Sequence, residues 1–246
     1  PVVQPKFTST YTTDKVASNS VIVESGKRSK VVAEDAIYEY DYSNYYSTGS
    51  YDVNFAGESA LTSAIDYVTS ETLPTVYQLQ GHGETALAGT VKTAVDNANL
   101  TVKDLSLLSM EAVPDDCSCL MVYAPTSDLG EAEVTKIIAY LDKGGHMLLL
   151  TDYASTERPN LLKLVNNYGV TMVNGIAVEG DMNRCLRGYQ HYLLPKITAH
   201  TITQPLIDGN LYALMPIAQG IVKLDSYRSS LNITSLLTTS DSAYNK

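Results

Sequence analysis

The chain lacks tryptophan, has two phenylalanines and four histidines, and carries fewer basic than acidic residues: 17 lysines and arginines against 27 aspartates and glutamates. Its formal charge of −10 argues against nucleic acid or an anionic membrane surface as a direct partner, because both are bound through basic patches. No apolar run is long enough to cross a bilayer. We therefore expect no nucleic-acid function, and membrane attachment only through anchors outside these 246 residues.

Familiar catalytic and metal-binding motifs are missing as well. The sequence has no Walker-type phosphate loop, no Gly-x-Ser-x-Gly nucleophile turn and no His-Glu-x-x-His helix. Cys117 and Cys119 lie two residues apart, which fits neither a zinc knuckle nor a redox pair, and Cys185 is far along the chain. We expect buried or half-buried thiols, and we predict no cofactor, no metal and no catalytic residue.

A glycine-rich turn after an apolar run is the most informative motif. Residues 76–80 are mainly apolar and end in Gly81-His82-Gly83-Glu84, and a helix-like pattern follows at once. A strand, a glycine turn and a helix form the unit that opens a parallel sheet, whose ligands gather at the carboxyl ends of its strands. The glycines allow a sharp turn, so we expect His82 and Glu84 to be displayed at the sheet edge. Alternatively, Glu84 caps the helix and His82 bonds to neighbouring loops.

The rest of the core alternates in the same way. Leu120–Ala124, closed by Pro125, and Met147–Thr151, closed by Asp152, predict strands, the second covered on both faces. Asp128 and Glu131 are predicted to cap the helix that lies between these two strands. Residues 180–200 are predicted to be a loop region. Helical periodicity places the following residues on inner faces: Leu61, Ala64, Ile65 and Val68; Val134, Ile137, Ile138 and Leu141; Leu161, Leu164, Val165 and Tyr168. The pattern predicts an α/β three-layer sandwich with a mainly parallel sheet.

The first residues predict an accessory element. Val21–Glu24 and Lys30–Ala33 flank a Ser-Gly turn and predict a β-hairpin, and Tyr38–Tyr51 predicts a long exposed loop. The tyrosines of that loop either contact a glycan or protein partner or have no ligand. We assign residues 1–55 to this element and residues 56–246 to the α/β core.

The order of several motifs resembles that of a known family. They are Asn19–Arg28, Gly57–Ile65, Gly81–Glu84, Leu120–Pro125 with Asp128 and Glu131, and Gly144–Asp152. In this order they resemble the extracytoplasmic domain of bacterial gliding-motility-type (GldG-like) ABC transporter auxiliary proteins.

This resemblance implies a class I glutamine amidotransferase-like, flavodoxin-related core, preceded by a thioredoxin-like portion of which residues 1–55 hold a remnant. It also implies an extracytoplasmic location, anchoring by transmembrane segments outside this sequence, and an ABC permease and ATPase as partners. In such a core the nucleophilic cysteine follows a central strand. The matching turn here carries Asp152 and Tyr153, and Cys119 lies at the other end of its strand. Glutaminase activity is therefore not expected.

These observations lead to a binding site rather than an active site. The candidate ligand- or partner-binding residues are Gly81, His82, Gly83, Glu84, Pro125, Asp152 and Tyr153. The leading hypothesis is a non-catalytic interaction or ligand-sensing domain of an ABC-type transport or gliding-like system, with a glycan or small ligand as a further candidate partner. The alternatives are a hydrolase that uses His82, Glu84 and Asp152 with water or a metal, and a spacer without a pocket.

Overall fold

The computed structural model describes residues 7–13, 15–43, 45, 49–153 and 156–246. Residues 1–76 and 87–103 form one compact unit, and residues 77–86 and 104–246 form a second. The strands are β1 (Val21–Glu24), β2 (Ser29–Val32), β3 (Tyr38–Asp41), β4 (Asp52–Phe55), β5 (Thr75–Leu79), β6 (Thr101–Leu105), β7 (Cys117–Tyr123), β8 (Met147–Leu150), β9 (Val170–Met172), β10 (Ala177–Val178), β11 (Cys185–Leu186), β12 (Tyr189–Leu193), β13 (Lys196–Ile197), β14 (Met215–Pro216), β15 (Ile221–Lys223), β16 (Leu237–Thr238) and β17 (Tyr244–Asn245). The α-helices are α1 (Gly57–Thr69), α2 (Gly89–Asn97), α3 (Glu131–Asp142), α4 (Pro159–Asn166) and α5 (Gln204–Asp208).

The first unit contains the predicted hairpin. β1 and β2 pair antiparallel, and the Ser25 amide donates to the Arg28 carbonyl at 3.0 Å across the turn. Helix α1 packs on this hairpin with Ala64 fully buried, as its periodicity predicted. The inward position predicted for Ile65 is wrong, because that side chain is 54 % exposed. The hairpin has two strands, and the buried core it shares with α1 consists of Val32, Ile37 and Ala64.

The tyrosine-rich segment is more ordered than the sequence suggested. Residues Tyr38–Asp41 were predicted to begin a loop, but they form β3, which pairs antiparallel with β4. Rings pack along this pair: the Tyr40 and Tyr51 centroids are 5.7 Å apart, and those of Tyr42 and Tyr51 are 5.3 Å apart. Such aromatic contacts stabilise a strand pair that lacks an apolar alternation. Residues 44 and 46–48 of the predicted loop lie outside the described residues.

A four-stranded parallel sheet runs in the order β6-β5-β7-β8. The strands predicted at residues 76–80, 120–124 and 147–151 are present as β5, β7 and β8. β7 and β8 pair in parallel, with Leu120 opposite Met147. The prediction that β8 is covered on both faces is wrong, since Leu148 is 47 % and Leu150 is 38 % exposed. Met147 and Leu149 pack on the core while the alternate residues Leu148 and Leu150 are exposed, so only one face of β8 is covered.

The second unit has one apolar core between its strands and the helices α3 and α4. Its fully buried members include Leu79, Leu120, Val122, Ile137 and Leu161. Burial of these residues is the largest favourable contribution to folding of this unit. The predicted inner faces of α3 and α4 are confirmed by the burial of Val134, Ile137, Leu161 and Leu164.

The last third of the chain adds small antiparallel pairs: β9 with β15, β10 with β17, β13 with β16, and β11-β12-β14. The prediction of a loop region over residues 180–200 is therefore wrong. Strands of two to five residues are too short to produce a readable alternation. With its parallel sheet and antiparallel hairpins, the structure confirms the predicted α/β class and is consistent with a three-layer sandwich. Among the described residues, no helix combines the length and apolar character needed to cross a membrane.

Candidate functional site

The turn after β5 depends on its two glycines. Gly81 and Gly83 have φ values of +122° and +73°, a region that disfavours residues with a Cβ atom. At Gly83 a Cβ would also overlap Oγ1 of Thr126, from the loop after β7. The prediction that a helix follows this turn at once is wrong, because α2 begins only at Gly89. The N-cap of α2 is Ala88 and its first turn contains no acid, so the prediction that Glu84 caps this helix is wrong.

Glu84 instead contacts His82. Its Oε1 lies 2.9 Å from His82 Nδ1, and its Oε2 accepts the His82 amide at 2.8 Å. The other ring nitrogen, Nε2, lies 2.9 Å from Oε2 of Glu133 in the first turn of α3. The side chains of His82, Glu84 and Glu133 are 6 %, 1 % and 2 % exposed. These three residues form a buried Glu–His–Glu cluster, whereas the sequence predicted a displayed histidine and glutamate.

The charge of this cluster follows from its geometry. An imidazole faced by a carboxylate on each nitrogen donates on both sides when the ring is protonated, so this arrangement favours the imidazolium. Burial lowers the pKa of His82, but hydrogen bonds and attraction from Glu84 and Glu133 outweigh it, so its pKa is raised above 6.5. Glu133 Oε2 also accepts the Gly130 amide at 2.9 Å, while its Oε1 is buried without a hydrogen-bond partner among the described residues. The imidazolium is therefore held between two buried carboxylates.

Main-chain bonds fix this turn to the loop after β7. The His82 carbonyl accepts the amides of Thr126 and Ser127 at 2.9 and 3.0 Å. The Thr126 carbonyl accepts the hydroxyl of Thr156 at 3.0 Å. The ends of neighbouring strands are thus joined, as expected at the carboxyl edge of a parallel sheet.

A buried arginine joins Pro125 and Asp152, which the sequence placed at the same edge. Arg158 is 7 % exposed and donates to the Pro125 and Asp152 carbonyls, both at 2.8 Å, and to Gln219 Oε1 at 3.3 Å. Burial lowers the pKa of its guanidinium, opposed by the nearby carboxylates of Asp152 and Asp128. The Asp152 carboxylate accepts the amide of Tyr153, whose side chain is 49 % exposed. Asp152 therefore joins the edge through its main chain, apart from the Glu–His–Glu cluster.

The caps of α3 and α4 differ from those predicted. Asp128 was expected to cap α3 together with Glu131, but its two oxygens accept the amides of Asn160 and Leu161 at 3.0 Å, in the first turn of α4. The first turn of α3 is instead closed by Glu133, which reaches back to Gly130. A carboxylate caps whichever free amides the tertiary structure brings within reach, and the spacing along the chain does not reveal this.

Sequence reasoning missed Glu133 and Arg158. Glu133 resembles an ordinary acidic residue of a helix first turn, 51 residues away from His82. Arg158 directly precedes Pro159 and resembles a solvated loop residue. The one available indication was Pro159 itself, which marks the start of a helix and so places Arg158 near the ends of the strands.

Among the described residues of this edge, the histidine is paired with carboxylates and is not placed beside a nucleophile. Both nitrogens of His82 are occupied by carboxylates, so the ring is not free to accept a proton from a substrate or a hydroxyl. Cys119 is half-buried, and burial raises the pKa of its thiol, which disfavours the reactive thiolate. In the part of the chain that the structure describes, no group of three His, Cys, Asp or Glu residues is arranged to hold a metal ion. The cluster is suited to fixing loops.

Comparison with known proteins supports the fold and gives the family. A solved structure described as the mmIFT52 N-terminal domain matches with a TM-score of 0.50 and 14 % identity, over 69 % of this chain and 75 % of that one. At this identity the likeness concerns the fold alone. No curated protein matches. The family model described as "ABC-type uncharacterized transport system" matches residues 73–246, most of the chain. The chain therefore belongs to the family of auxiliary proteins of ABC-type transport systems.

Proposed function

We propose that this chain is a non-catalytic, extracytoplasmic interaction or ligand-sensing domain of its transport system, with the permease and ATPase subunits as partners. The observation that carries the proposal is the Glu–His–Glu cluster. It places a histidine and two carboxylates at the sheet edge, yet its members bond to one another below the surface. A histidine used in this way stabilises a loop rather than transforming a substrate.

Exposed groups of the same edge supply the docking surface. Gly81, Gly83, Asp152 and Tyr153 are accessible, and hydrogen bonds from Thr126 and Arg158 fix the loops that carry them. A rigid surface loses little entropy when a partner binds. His82, Glu84 and Pro125 then act as positioning residues beneath this surface.

The narrower assignment to GldG-like proteins with an amidotransferase-like core is part of this proposal. It is supported by the order of the motifs from Asn19 to Asp152, by the family match, and by the parallel sheet with its Gly-His-Gly-Glu turn. The extracytoplasmic location and the membrane anchors outside this sequence rest on the same resemblance.

Co-isolation with the transporter tests the proposal. The full protein, produced together with the permease and ATPase of its own system, is expected to retain both through affinity purification. Combined Asp152→Ala and Tyr153→Ala replacements should weaken retention several-fold, because they remove exposed side chains of the edge and leave the Arg158 bonds to main-chain carbonyls. Tyr244→Ala, at a tyrosine of similar exposure in β17, is the matched control. Undiminished retention in the double variant would contradict this docking surface.

One observation favours the hydrolase alternative. Glu133 Oε1 is a buried carboxylate oxygen without a partner among the described residues, and such an oxygen can accept a proton from water. Release of ammonia from glutamine tests this alternative for the reaction that an amidotransferase-like core would carry out. We expect no turnover above that of buffer. If the parent shows turnover and folded His82→Gln and Glu133→Gln variants do not, the chain is an enzyme and the proposed non-catalytic role is wrong.

A further inference from the structure

A short segment of the second unit exposes many large apolar side chains. Within residues 211–217 they are Leu211, Tyr212, Leu214, Met215 and Ile217, here called the apolar strip. Tyr212 is 80 % exposed and Leu211 is 57 % exposed. Single exposed apolar residues are ordinary on protein surfaces, but five within seven successive positions form a patch of the kind that marks interaction sites.

The strip is held in place by its backbone. β14, near the C-terminal end of the strip, pairs with β12, so that Met215 lies opposite Leu193. The amide of Ile217 donates to the His191 carbonyl and that of Leu211 to the Leu206 carbonyl, both at 2.8 Å. The side chains are therefore presented by a fixed main chain, which reduces the entropy lost when a partner binds.

A basic pocket adjoins the strip. It has a volume of about 330 Å³, and its lining includes Leu211, Tyr212, Arg184 and Lys196. The described residues that line it include no aspartate or glutamate. Arg184 and Lys196 also form no ion pair with a described residue. In a chain of net charge −10, this pocket is a local positive site beside an apolar surface.

We propose that the apolar strip and the basic pocket together bind a protein segment that presents apolar side chains beside carboxylates. The inference rests on the proposed function, since it names a second surface through which an interaction domain engages a partner. Charge complementarity selects the carboxylates, because Arg184 and Lys196 attract anions that approach this face. The net charge of −10 repels an anionic bilayer, and a concave pocket fits protruding side chains better than a flat membrane.

Three synthetic amphipathic peptides test this surface on the purified chain. They share the same leucine and phenylalanine positions and carry glutamate, glutamine or lysine at the polar positions. In fluorescence anisotropy, the glutamate peptide should bind at least about tenfold more tightly than the lysine peptide, and added salt should reduce the difference. Leu211→Ser with Tyr212→Ser should abolish binding of all three, and these exposed positions can be changed without disturbing the core.

Charge reversal provides the sharper test. Lys196→Glu, at an exposed position, should lower the preference for the glutamate peptide, and Lys196→Glu with Arg184→Glu should invert it. Tyr244→Ser, at an exposed tyrosine outside the strip, should bind as the parent does. The proposal is overturned if the three peptides bind equally, if the serine variants bind normally, or if only phosphatidylglycerol vesicles bind. The proposal is also overturned if sedimentation shows self-association that requires Tyr212, because the occupant of the strip would then be a second copy of this chain.

The two proposals fail separately. Loss of peptide selectivity with intact, Tyr153-dependent retention of the transporter would remove this surface and leave the proposed function standing. Selective peptide binding without retention of the permease and ATPase would do the opposite.

Discussion

Replacing Glu133 with glutamine removes one of the two carboxylates that face the His82 ring while keeping the shape of the side chain. The Gly130 amide and the ring both approach the same atom, Oε2, so the glutamine oxygen must take that place. Its NH₂ group then occupies the buried Oε1 position, where the described residues offer no partner. An unsatisfied buried donor costs about 1–3 kcal/mol and loss of one member of a buried ion pair costs more, so we expect destabilisation of about 2–4 kcal/mol.

The sign of the pH dependence follows from His82. Its pKa in the folded protein is raised above 6.5, so its stabilising contribution is complete below pH 6.5 and is lost as the pH rises through the raised value. Glu133→Gln removes a negative charge next to the ring and lowers the pKa of His82 towards its ordinary value. The difference in stability between parent and variant should therefore be largest below pH 6.5 and should shrink at alkaline pH.

Urea unfolding at a series of pH values measures both the loss of stability and its dependence on pH. Far-ultraviolet circular dichroism is the signal of choice, because the chain has no tryptophan whose fluorescence could follow unfolding. Exchange of the Thr126 amide, which donates to the His82 carbonyl, assigns the change to the second unit. Glu131→Gln is the matched control, because Glu131 lies on the same helix, is exposed and pairs with Lys163 at the surface, so its loss should hardly change stability. Equal stability of Glu133→Gln and the parent at pH 6 would refute the reasoning about the cluster.

Three further predictions follow from local contacts. Gly83→Ala should destabilise the second unit by about 1–3 kcal/mol in urea unfolding, because the added Cβ overlaps Thr126 and the φ angle disfavours alanine. Gly188→Ala, at a similar φ but with open space around the Cβ, should reduce stability less. Asp128→Ala should cost about 1–2 kcal/mol by removing the cap of α4, and Asp128→Asn, which keeps one of the two acceptor oxygens, should cost less than the alanine variant; equal losses would argue against capping. With the other two cysteines changed to serine, alkylation of Cys119 should be slower than that of glutathione at neutral pH, since burial raises its pKa above 9.0; faster labelling would reveal an activated thiol.

The regular core could be predicted because its local patterns agree with its tertiary structure. The apolar runs that became β5, β7 and β8, and the periodic faces of α3 and α4, each reflect burial that repeats along the chain. The exposure of Leu148 and Leu150 could not be read in the same way. A continuous apolar run does not show whether both faces of its strand are covered by other elements.

The candidate site could be located but not understood from the sequence. The two glycines identified the turn that carries His82 and Glu84, because glycine is favoured where φ is positive. Glu133 and Arg158 reach this edge from α3 and from the start of α4, and contacts between distant segments leave no local periodicity. The strand Tyr38–Asp41 was missed for a related reason, since it pairs with a segment more than ten residues further along the chain, where Phe55 and the neighbouring Tyr51 supply ring contacts.

Arg158 has a mechanical consequence. One planar cation at the start of α4 donates to the main chain of two separate strand-end loops, at Pro125 and Asp152, and to an amide from the C-terminal third at Gln219. A lysine has one terminal nitrogen and cannot span these acceptors in the same geometry. The guanidinium therefore ties the positions of these two loops to the start of α4, and loss of Arg158 would free all three acceptors at once.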